Sequence, residues 1–162
     1  MTLGVEVATL VMSVVSLVGA GFALWRTHRV ERRSLLLENH RQFIDPDSST
    51  NRAELHSAFD SHGPEWYLHV DKPTQVRINS GLAQLDAMAY QVTREYVPKA
   101  DAEELWGPAM AGCFLKAEPF ILHRRMNGTA NLWTFLEQVV QQLDQEILAT
   151  ARGEASRSEG SA

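Results

Sequence analysis

From Val7 to Trp25 the chain carries nineteen consecutive residues without a charge, and the pattern then turns basic at Arg26, His28, Arg29, Arg32 and Arg33. At about 1.5 Å rise per residue such a run just covers a hydrocarbon core roughly 30 Å thick, which predicts one transmembrane helix over 7–25. Val11, Val14, Val15 and Val18 are β-branched and lower helix propensity in water, but in a bilayer the backbone must satisfy its own hydrogen bonds, and a helix does so. A cleaved secretory signal is disfavoured, because residues 1–6 hold no basic side chain and the run ends in Trp25 and arginines, as a stop-transfer segment does. A buried soluble helix would have to be covered all round, and an interfacial helix would need a charged face that this run lacks.

Downstream, apolar positions recur three and four residues apart and no stretch alternates as a strand would. The expected fold is all-α: a single N-terminal transmembrane helix continuing into a juxtamembrane helix, followed by a compact cytosolic helical bundle. Nothing breaks the first helix before Asp45-Pro46-Asp47, so it should reach Ile44 through Val30, Leu35, Leu36 and Leu37. Asp45 to Ser49 reads as a turn. Asn51 and Glu54 then cap a short helix carrying Ala53, Leu55, Ala58 and Phe59, which Gly63-Pro64 ends while opening another with Trp66, Tyr67 and Leu68. The two should form a hairpin.

Pro73 opens the clearest core stripe, formed by Ile78, Leu82, Leu85, Ala89, Val92 and Tyr96, and Pro98 closes it. Asp101 and Glu104 cap a helix that Pro108 should bend or restart, and Pro119 begins a short helix ending at Arg124-Arg125. Thr129 caps a final helix whose Leu132, Leu136, Val139, Leu143 and Ile147 should lie against the Ile78 to Tyr96 stripe. After Arg152 the Gly, Ser, Glu and Ala composition predicts a disordered tail. The expected organisation is therefore an extracytoplasmic 1–6, the span 7–25, a basic juxtamembrane helix 26–44, a cytosolic helical domain 45–151 and a tail 152–162.

Charge gives this layout a direction. Arg26 to Arg41 holds five arginines against Glu31 and Glu38, whereas no Lys or Arg precedes the span, so the N-terminus should lie outside and the body in the cytoplasm of an inner (plasma) membrane. Trp25, Arg26, Arg29, Arg32 and Arg33 are the topology-setting residues, the indole resting at the inner interface. From Gln42 onward ten Lys/Arg face seventeen Asp/Glu, a net of −7. The basic collar can attract anionic lipid headgroups at about 1 kcal/mol per charge, while the acidic body disfavours nucleic acid. Cys113 is the single cysteine, so no intrachain disulfide forms; its apolar neighbours place it in the core.

Specific chemistry is sparse. His56, Asp60, His62, Glu65 and His69 have metal-ligand side chains, with His56 and Asp60 four apart on one helix face, but no recognised zinc spacing. No glycine-rich phosphate loop, nucleophile elbow or kinase signature occurs. No cofactor and no catalytic residue is assigned. Within the span Thr9, Ser13, Ser16, Ala20 and Ala23 fall on one face at spacings of four and three, a stripe that lets two helices approach closely.

The segment Ile78-Asn79-Ser80-Gly81-Leu82-Ala83-Gln84-Leu85-Asp86, the Tyr96-Val97-Pro98 break, Leu105-Trp106 and the stretch from Pro119 to Arg125 together resemble a domain-of-unknown-function family of small bacterial membrane proteins. The resemblance implies one N-terminal span and a helical cytosolic domain, and supplies no catalytic residues. The expected function is that of a membrane-anchored helical interaction module, working with the bilayer and with another protein or itself. The alternative is a membrane-tethered enzyme or toxin-like effector using the polar cluster from His56 to His69.

Overall fold

The computed structural model describes the backbone of residues 2–159 and, within it, the side chains of residues 12, 16–27 and 29–156. Among these the fold is all-helical: α1 (Thr2–Ile44), α2 (Pro46–His62), a 3-10 helix (Gly63–Leu68), α3 (Lys72–Thr93), α4 (Lys99–Met126), α5 (Thr134–Gln141) and α6 (Gln145–Glu159). The long first helix is continuous to Ile44, as the absence of a breaker predicts. Its 43 residues correspond to a rod of about 65 Å. Residues 16–25, the continuous part of the run expected to cross the bilayer whose side chains are described, span only about 15 Å. Among the described residues no helix is long and apolar enough to cross a membrane. The side chains of 7–11 and 13–15, and with them Thr9 and Ser13, lie outside the described residues.

Helix α4 is the axis of the bundle and packs against α2, α3, α5, α6 and the 3-10 turn. It buries Trp106, Met110, Ala111, Phe114, Phe120 and Ile121 among others. The stripe on α3 buries Ile78, Leu82, Leu85, Ala89 and Val92, and α5 lies against it as its periodicity predicts. Gly81 permits the crossing of α2, since a Cβ there would stand 3.2 Å from Asn51 Cβ. Gly63, at φ 64, turns the chain from α2 into the 3-10 helix, a conformation that costs glycine no Cβ clash.

Several expected boundaries move, each for a local reason. Helix α2 starts at Pro46 and not after Asn51, because Asp45 caps it, accepting the Asp47 N–H at 3.1 Å. The segment with Trp66 is 3-10, not α. Pro108 and Pro119 both lie inside an unbroken α4. Each proline costs about 3 kcal/mol in a helix interior, and burial of large side chains on both sides offsets it. Helix α3 ends at Thr93, so Tyr96 leaves the stripe and is half exposed, while Val97 is buried in its place. The expected final helix from Thr129 is two: Trp133 takes a left-handed conformation before α5, and Asp144 accepts the Glu146 N–H at 2.8 Å to start α6. Helix α6 runs on to Glu159, so residues 152–159 of the expected disordered tail are helical, with Ala151 buried at their root.

Candidate functional site

Among the described residues, the bundle holds α1 through its last turns. Leu36 and Phe43 pack on the core, and Asn39 is buried. Asn39 Nδ2 donates to Gln91 Oε1 at 2.7 Å, and Trp106 Nε1 donates to His40 Nδ1 at 3.4 Å. Arg52 donates to the Phe43 carbonyl at 2.6 Å with its guanidinium 3.9 Å above the Phe43 ring. Gln84 Nε2 reaches the Gln42 carbonyl at 2.9 Å. Since 84 pairs with 42 and 91 with 39, α3 runs antiparallel to α1. The α3–α4 turn is therefore the end of the bundle that faces back along α1 towards the apolar run.

Upstream of the collar the described residues of the helix are exposed. Met12, Leu17, Val18, Phe22, Leu24 and Trp25 are between 55% and 77% exposed. At 100° per residue, Leu17, Val18, Phe22, Leu24 and Trp25 fall within an arc of about 160°, but every residue from 16 to 27 is exposed, so the bundle covers no face of this segment. Arg29 lies over the Trp25 ring at 5.2 Å. Arg29, Arg32 and Arg33, with Leu36, Pro98 and Asp101, line a cleft of about 350 Å³ between α1 and the start of α4. Three guanidiniums beside one carboxylate favour an anion there. On the other side of α1 an open apolar groove of about 700 Å³ is lined by Leu35, Ala87, Tyr90, Tyr96 and Phe135.

The polar cluster expected from sequence divides. His56 and Asp60 turn towards α4, where His56 Nε2 stands 3.6 Å from Cys113 Sγ and Asp60 Oδ1 accepts from Lys116 Nζ at 2.6 Å. His62 and His69 stack on each other at 5.2 Å across the 3-10 turn. Among the described residues no three His, Cys, Asp or Glu side chains gather so as to hold a metal ion. Cys113 is 1% exposed, and burial pushes its thiol up to about 12. Burial, and then the nearby Lys116 charge, holds the His56 imidazolium below its ordinary value. The pair is thus a neutral thiol beside a neutral imidazole, the reverse of the thiolate–imidazolium pair that nucleophilic catalysis requires.

The sequence alone assigns no role to Lys116, Asn39 or Asp86. Lys116 carried a signal, a lone ammonium inside Cys113-Phe114-Leu115-Lys116-Ala117, where a buried charge needs a partner. Asp86 sits beside the α3 stripe, and its Oδ1 accepts the Leu136 N–H at 2.8 Å. Burial raises the Asp86 carboxyl above the usual carboxylate range, opposed by hydrogen bonds from the Leu136 and Phe135 backbone. No family model matches the chain, and neither a curated protein nor a solved structure does.

Proposed function

We propose that this chain is a membrane-anchored helical interaction module: α1 crosses an inner (plasma) membrane once with its N-terminus outside, and the bundle stands in the cytoplasm for a protein partner. The observation that carries the reading is the bare upstream part of α1, exposed all round from Leu17 to Trp25 and followed at once by arginines. Water disfavours such a rod at about 25 cal/mol per Å² of apolar surface, and a hydrocarbon phase removes that cost. The Val7 to Trp25 run supplies the length. Arg29 and Arg32 then stand at or just beyond the inner headgroups, where the cleft they line suits the phosphate of an anionic lipid. The layout is also the one implied by the resemblance to small bacterial membrane proteins.

An enzyme or toxin-like effector built on His56, Asp60, His62 and His69 has less support, because these side chains face two ways and the Cys113 thiol is closed off. Alkaline extraction of membranes from expressing cells tests the anchor. Retention of the full chain in the pellet, and its release by a Val18→Arg substitution at mid-run, is the expected result. Release of the unaltered chain would overturn it.

A further inference from the structure

The small-residue stripe Thr9, Ser13, Ser16, Ala20, Ala23 does not stop at the basic collar. The same alternation of four and three continues through Thr27, Val30, Ser34, Leu37, Arg41 and Ile44, the last residue of α1. Outside the apolar run its larger members are uncovered: Val30 is 60% exposed, Leu37 68% and Ile44 59%. They fall seven residues apart, the period of a coiled-coil seam. With Val30, Leu37 and Ile44 at the d positions, Thr27, Ser34 and Arg41 occupy a, and Asn39 falls at f, opposite the seam. Asn39 is a residue by which α1 is held to the bundle. The bundle therefore covers α1 over the c, f and g positions of Leu36, Phe43, Asn39 and His40, and leaves Val30, Leu37 and Ile44 facing outward.

Charge flanking the seam selects the partner. Arg26 and Arg33 fall at g, and Glu31 and Glu38 at e, all four exposed. In a parallel, in-register pair a g residue meets the e residue five positions on in the other helix, which sets Arg33 against the partner's Glu38 and Arg26 against the partner's Glu31. An antiparallel pair would instead set arginine against arginine. We infer that α1 pairs in parallel and in register with α1 of a second copy of this chain, through Val30, Leu37 and Ile44 flanked by these arginine–glutamate contacts. Thr27, Ser34 and Arg41 at the a positions are all polar, so the seam rests on its d residues and the flanking charges set its register. The inference rests on the anchor reading in one respect: a shared bilayer holds both copies parallel and concentrates them.

The test is disulfide scanning of the full chain in native membranes, leaving Cys113 in place because it is buried. Oxidation is expected to give covalent dimer with Val30→Cys and Leu37→Cys, and several-fold less with Arg32→Cys at f and Leu35→Cys at b. Arg33→Glu should abolish the Leu37→Cys crosslink, and adding Glu38→Arg should restore it, a rescue that misfolding would not give. Equal crosslinking at all four positions, none at any, or no rescue would overturn the pairing. Membrane retention of the same variants reads the anchor separately. Retention without the crosslinking period overturns the pairing alone, whereas the period without retention overturns the anchor alone.

Discussion

Asn39 and Gln91 exchange two amide hydrogen bonds across α1 and α3, Nδ2 to Oε1 at 2.7 Å and Nε2 to Oδ1 at 3.4 Å. With Asn39 buried, this pair sets the rotation of α1 about its own axis. It thereby decides that Leu36 and Phe43 face the core while Val30, Leu37 and Ile44 face away. Gln91→Ala should strand the Asn39 amide at a cost of about 1–3 kcal/mol, spent on undocking α1. Hydrogen exchange should then quicken over residues 36–44 and leave the middle of α4 protected. Uniform acceleration through the bundle would mean that the pair serves general stability instead.

Helix α5 begins on a left-handed Trp133 that offers no side-chain cap, and Asp86 supplies the acceptor from α3. Asp86→Ala should cost about 1 kcal/mol, as loss of an ordinary cap does, whereas Asp86→Asn keeps an acceptor oxygen. Burial raises the Asp86 carboxyl in the fold, so its ionisation favours the unfolded chain. The native contribution is greatest at low pH and is lost as pH rises from the free value of 3.8 through the folded one. The stability difference between Asp86→Asn and the parent should therefore grow over that window and then level off. Denaturant titrations at a series of pH values measure it.

His56 gives the opposite limb. Its folded imidazole holds a proton less tightly than free histidine at 6.5, so the stability it lends is complete above that pH and lost as pH falls through the folded value. His56→Gln should flatten this acid limb. In the same protein Cys113 should resist a maleimide at pH 7 to 8 until denaturant opens the bundle, because the thiol is buried and protonated. Rapid labelling of the native chain would contradict the closed Cys113–His56 pair.

Two glycines separate close packing from helix propensity. Alanine gains about 1 kcal/mol over glycine in a helix interior. At Gly153 nothing lies within 4 Å of an added Cβ, so Gly153→Ala should stabilise by roughly that amount. At Gly81 the new methyl meets Asn51 Cβ at 3.2 Å and its carbonyl carbon at 3.5 Å, so overpacking of about 1–3 kcal/mol outweighs the gain and Gly81→Ala should lower the melting temperature.

Much of the fold was legible because amphipathic period and caps act locally. The α3 stripe from Ile78 to Val92, the continuity of α1 and the turn at Gly63-Pro64 follow from residues within a few positions of one another. What escaped depends on distant partners. Pro108 and Pro119 read as breaks, yet side chains buried along α4 hold the helix through both. The α5 start could not be read from Thr129, because its acceptor is on Asp86. The polar residues from His56 to His69 gave the right side chains without their directions, since Cys113 and Lys116 draw two of them inward while His62 and His69 meet each other. The collar arginines were visible as charge. That they share a cleft with Pro98 and Asp101 required the antiparallel return of α3.

The central claim is that α1 carries the bundle on the cytoplasmic side of a membrane. Paired fusions at the C-terminus, one reporter active only in the cytoplasm and one active only outside it, measure this directly in cells. The account predicts a bright cytoplasmic reporter, an inactive external one, and a reversal when Arg26, Arg29, Arg32 and Arg33 are replaced by glutamine and lysines are placed before Val7. An active external reporter on the unaltered chain would contradict it.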